Sequence, residues 1–101
     1  MFQKILDKIK EWLGGKTMSD ADLMAELEKQ AEGKDLNWKV SVVDFLKLLG
    51  IDSSGKNREA LALELGVLDN GGSAEKNEAL RKAVFKKLAE NGGNIPASLL
   101  D

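Results

Sequence analysis

Cysteine, histidine and tyrosine are all missing from this chain, and each absence closes a class of function. Without cysteine there is no disulfide, no thiolate nucleophile and no Cys-ligated zinc. Without histidine the commonest general base and the commonest metal ligand are gone, and without tyrosine the phenolic acid. Catalytic triads and His-ligated metal centres are therefore excluded, and no cofactor is expected. A surplus of positive charge is lacking too: 15 basic against 17 acidic residues leave a formal net charge of −2. Nucleic-acid binding usually calls for a basic excess that displaces counterions from phosphate, so no nucleic-acid partner is expected. No apolar run reaches the ~20 residues of a membrane-spanning helix. The opening "MFQKILDKIKEWLGG" interleaves charge with apolar residues and lacks the unbroken apolar stretch of a secretory signal, which points to a protein that stays in the cytoplasm.

What is present suits one small domain. Of the 101 residues, 43% are hydrophobic, enough for a single modest core. Phe2, Ile5, Leu6, Ile9, Trp12 and Leu13 fall within one arc of roughly 120° at helical spacing, which predicts an amphipathic helix closed by Gly14 and Gly15. After "KTMS", Ser19 is placed to cap a second helix running through "ADLMAELEKQA" to Gly33, with acids in its first turn. Ser41, with Asp44 three residues on, resembles a capping box with a short acid, and opens a helix apolar around almost its whole circumference. "WKVSVV" also admits a strand, but "DFLKLLG" continues at helical period, so helix is preferred. "DSSGKN" is a turn in which Asp52, Ser53 or Ser54 can cap "REALALEL", ended by Gly66. Ser73 is placed to cap the longest helix, reaching about Glu90 with a stripe of Leu80, Val84, Phe85 and Leu88. In the tail, Pro96 can start a last helical turn, from which Ile95, Leu99 and Leu100 pack back.

These short helices, joined by glycine-containing loops, predict an all-α fold: a compact, roughly orthogonal bundle of four to five short helices with an amphipathic N-terminal helix. Residues 1–13 form an arm, 14–18 a linker and 19–101 a single helical domain. The expected core is Trp38, Val42, Phe45, Leu46, Leu49, Leu61, Leu65, Leu80, Val84 and Leu88.

The stretch "LNWKVSVVDFLKLLGIDSSGKNREALALELG" (36–66), followed by "AVFKKLAENGGNIPASLLD" (83–101), resembles the core of a small bacterial family of helical proteins known as a domain of unknown function. The likeness rests on two blocks in order, "LNW…S…DxLKLLGxDSS" and "LAxNGGxxPxxLLD". It implies a compact α-helical domain and carries over no activity, cofactor or catalytic residue. Where such proteins often have a longer Ala/Pro-rich linker, this chain has only "GGKTMS".

Each apparent site has a simpler reading. "DSSGKN" and "DNGGSAE" gather oxygen ligands beside glycine, but counting from Asp52 the calcium-loop positions for glycine and the bidentate glutamate hold Asn57 and Leu63. The paired glycines at 71–72 and 92–93 are not a phosphate cradle. "GGKT" at 14–17 imitates the end of one, yet no strand precedes it and the motif's first glycine would fall on Lys10. Asp44 and Asp52 would serve as an acid/base pair only if desolvated; capping explains both. Trp38 is read as a core anchor.

Asn77 and Arg81 sit inside the apolar arc of the longest helix. A buried amide or guanidinium there needs partners, so an internal network to an acidic or backbone acceptor is expected. Charge is segregated: residues 20–35 carry six acids and two lysines, while residues 74–90 carry five bases and three acids. Attraction between these helices would be weak at the surface. No catalytic, cofactor-binding or metal residue is expected. The apolar face of the arm can fold back onto the domain's own core, which the six-residue connector "GGKTMS" permits, and whether it is docked or free is left open. The expected role is a non-catalytic interaction or adaptor module, with Phe2, Ile5, Leu6, Ile9, Trp12 and Leu13 contacting a partner protein or a second copy. The alternative is attachment to a membrane surface through the same arm, which its net charge of +1 favours less than a protein groove.

Overall fold

The starts of the two central helices, and the end of the second, fall where the local sequence supplies a reason. The computed structural model describes residues 2–14, 21–67, 73–92 and 97–100. Among these there are six helices and no strand: α1 (Phe2–Leu13), α2 (Ala21–Ala31), α3 (Val42–Leu48), α4 (Gly55–Leu65), α5 (Ser73–Glu90) and α6 (Ala97–Leu100). The expected cap at Ser19, the linker at 15–18, the "DNGG" loop and the positions of Ile95 and Pro96 lie outside the described residues.

Ser41 is extended and its hydroxyl accepts from the Asp44 amide at 3.2 Å, satisfying one of the free N–H groups at the start of α3. The reciprocal half of a capping box is not formed. The Asp44 carboxylate accepts instead from the Asn37 amide at 2.9 Å, and the Ser41 amide donates to the Asn37 carbonyl at 3.0 Å. Aspartate is one methylene shorter than the usual glutamate, and the turn ahead of α3 has already taken the amide it would reach. Of the three candidates before α4, Ser54 is the cap, accepting from the Asn57 amide at 3.3 Å, while Asp52 accepts from the Ser54 amide at 3.0 Å. At the far end Gly66 takes the left-handed conformation at φ 72°, and Val67 N–H reaches back to the Ala62 carbonyl at 2.9 Å.

The apolar faces meet in one cluster. It contains Leu23 and Leu27 of α2, Trp38 of the following turn, Val42, Phe45, Leu46 and Leu48 of α3 with Leu49, Leu61 of α4, and Leu80, Val84, Phe85 and Leu88 of α5. Every expected core residue is buried except Leu65, which is half-buried. At the centre Trp38, Phe45 and Phe85 form a closed aromatic trio with ring centroids 5.2 to 6.4 Å apart, in the range of favourable edge-to-face contact.

Close helix packing divides into two groups around this shared core. α3, α4 and α6 pack on α5, whereas α1 packs on α2. The radius of gyration of 12.8 Å matches the ~13 Å of a compact chain of this length, so the arm is folded in.

Candidate functional site

The amphipathic spacing of α1 does place its apolar side chains on one face, and that face is turned inward. Phe2, Ile5, Leu6, Ile9 and Leu13 are buried in the common core, and Trp12 lies half-exposed at its edge. Gln3, Lys4, Asp7, Lys10 and Glu11 line the exposed side. The helix has no acidic residue in its own first turn. A carboxylate reaches it from elsewhere: the Phe2 amide donates to Glu64 Oε2 of α4 at 2.6 Å, across 62 positions of sequence. A helix N-terminus carries partial positive charge and free N–H groups, so this contact combines a charge-assisted hydrogen bond with the helix dipole.

The two polar residues on the inner stripe of α5 are held separately. Arg81 is 6% exposed, and its guanidinium has four acceptors. It donates through Nη1 to the Lys39 and Leu99 carbonyls, each at 3.2 Å, and through Nε and Nη2 to the Glu78 carboxylate. Its carbon centre also stands 5.7 Å from the Phe85 ring centroid. One side chain thus ties α6 and the α2–α3 turn to α5. Arg81 holds the Glu78 carboxyl below the ordinary carboxylate range, by the hydrogen bond first and by its charge, against the upward push of partial burial. Asn77 takes no part in this network. Its side-chain oxygen accepts from Arg58 of α4 at 2.5 Å, and Arg58 Nε donates to the Ser53 carbonyl at 3.0 Å, pinning the α4 start to α5.

Asp44 and Asp52 are each engaged locally. Asp44 accepts from the Asn37 amide, and both carboxylate oxygens of Asp52 accept from Ser54. The turn expected over "DSSGKN" is shorter, since Gly55, Lys56 and Asn57 already belong to α4, and the segment spends its oxygens on the chain itself, with Asn57 Nδ2 donating to the Asp52 carbonyl at 2.6 Å. Among the described residues no group of three or more His, Cys, Asp or Glu is placed to hold a metal ion. The "GGKT" segment and the "GG" pairs fall wholly or partly outside the described residues.

Trp38 is 4% exposed and sits in the aromatic trio. Beside it runs an open groove of about 530 Å³, with Ala25, Glu28 and Lys29 of α2 and Glu32 just past its end on one side and Leu36 and Trp38 on the other. Lys39 spans its end in an ion pair with Glu28 at 2.9 Å. The acidic α2 thus pairs with the turn that follows it; with both groups half-exposed, the contact contributes under ~1 kcal/mol.

Glu64, Glu78, Arg58 and the Glu28–Lys39 pair are among the polar residues that sequence reasoning missed. Glu78 stands three residues before Arg81, a spacing that brings side chains together on a helix and so was a usable signal. Nothing local marks Glu64, whose partner is at the other end of the chain.

A family model described as a domain of unknown function (DUF3597) matches residues 13–96, from the last residue of α1 through α5. No curated protein and no solved structure matches the chain.

Proposed function

The chain belongs to the family Domain of unknown function (DUF3597), which brings no activity with it, and from its own geometry we propose a non-catalytic protein-interaction module whose contact element is α1. The observation that carries this reading is the arm itself. Its six apolar side chains line one face of a helix about 18 Å long, closed by Gly14 at φ 59° and packed most closely on α2, outside the group gathered on α5. Exposing that face without cover is unfavourable, so the partner must offer an apolar groove of three helical turns. A second copy of the chain or another protein meets that need. The near-balanced charge of α1 favours such a groove over anionic lipid. Nucleic acid is not among the expected partners, since the chain has no basic surplus.

No described helix is long and apolar enough to cross a membrane. A membrane surface would engage the same six side chains, and we propose instead a protein groove met in the cytoplasm. The test uses the full chain carrying a photo-crosslinking phenylalanine analogue in place of Trp12, with sedimentation equilibrium run in parallel. Crosslinks from position 12 to a second copy or to one recurrent protein are expected. A chain that stays monomeric, yields no intermolecular crosslink and instead sediments with anionic vesicles would replace this reading with the membrane one.

A further inference from the structure

We infer that Glu64 is the catch that keeps α1 docked, an autoinhibitory contact between the end of α4 and the first turn of the arm. The inference rests on the interaction reading of α1 and names how that site is regulated. Three observations carry it. The Phe2 amide donates to Glu64 Oε2 at 2.6 Å, joining the tip of the arm to a helix of the other packing group. The first turn of α1 has no acid of its own, so Glu64 supplies the negative charge that a helix N-terminus attracts. Glu64 is exposed and therefore reachable: a partner that engages its carboxylate, or competes for the first turn of α1, loosens the arm without disturbing the buried trio. Among the described residues the rest of the hold on α1 is the burial of Phe2, Ile5, Leu6, Ile9 and Leu13 in the common core, which is non-directional and which an apolar groove on the partner can replace. The polar contact is the part specific to the docked position.

Amide hydrogen exchange on the full chain tests this, comparing the peptide covering α1 with those covering α3 and α5 in Glu64→Gln and Glu64→Ala. Glutamine keeps an acceptor and loses the charge; alanine loses both. The expected result is exchange in α1 faster by roughly tenfold in Glu64→Ala and by less in Glu64→Gln, with α3 and α5 unchanged. Leu63→Gln, at the neighbouring position that is 82% exposed, is the control and leaves α1 as in the parent. Unchanged α1 exchange in both Glu64 variants would overturn the inference. So would equal acceleration in every helix, because Glu64 would then support the whole domain and not the arm. The crosslinker at position 12 is then placed in the Glu64→Ala background. Selective release of α1 with more intermolecular crosslinking supports both readings, and selective release with none leaves the catch standing and removes the interaction reading.

Discussion

Arg81 is buried with its charge, and the chain satisfies it with two backbone carbonyls and one carboxylate. That geometry needs the planar fork of arginine. Lysine presents one ammonium, which cannot reach acceptors on α5, on α6 and in the α2–α3 turn together. Arg81→Lys is therefore expected to cost about 1–3 kcal/mol in urea denaturation, with a lowered midpoint. The Glu78 half of the contact depends on pH. Its folded value lies below the unfolded one, so its stabilisation is complete above the ordinary carboxylate range and is lost as pH falls through the folded value. The drop in stability from about pH 5 to about pH 3 should be smaller in Glu78→Gln than in the parent. A deeper loss is expected at Phe85, which is fully buried and touches both other rings of the trio. Phe85→Ala should cost about 3–5 kcal/mol and flatten the near-ultraviolet circular dichroism.

Among the elements, α4 depends most on its ends. Of its apolar side chains only Leu61 is fully buried, Ala62 and Leu65 pack half-buried against the core, and Leu63 is largely in water; the helix is bounded by Ser54 and Gly66. Ser54→Ala should lower stability by about 1 kcal/mol, and Ser54→Gly by only a few tenths. Gly66→Ala places a side chain in left-handed backbone and should cost about 1–2 kcal/mol, although nothing lies within 4 Å of the added carbon. Thermal melts of the three variants check the order. The end at Gly66 was legible in the sequence, because a terminal glycine acts over three or four residues; the start was narrowed only to Asp52, Ser53 or Ser54, and the helix begins at Gly55, three residues before the expected Arg58. Glu64 was not legible, because its role is set by the arrival of α1.

For the whole molecule the arm is as much core as contact element. Its five buried side chains contribute about 1.5–3 kcal/mol each, against a stability of about 5–15 kcal/mol for a domain of this kind. Removing residues 1–14 should lower the midpoint of the unfolding transition, leave the group packed on α5 cooperative, and expose apolar surface to a hydrophobic dye, which is why the interaction tests keep the full chain.

The sequence by itself determined the helices, the cap at Ser41, the terminal glycine at Gly66, the inward stripes of α1 and α5 and the exclusion of His- and Cys-based chemistry; Ser73, expected as a cap, is instead the first residue of α5. Those properties are local: 3.6-residue periodicity, short-range hydrogen bonds and composition. Only the tertiary structure decided that the apolar side of α1 would turn onto α2 and that Glu64 would meet its first turn. It also decided that Arg81 would join α6 to the α2–α3 turn while Asn77 went to Arg58. An amphipathic helix records that one side must be covered and leaves open by what. Partners separated by tens of residues are chosen by the packing of the whole chain, which no window of neighbouring residues contains.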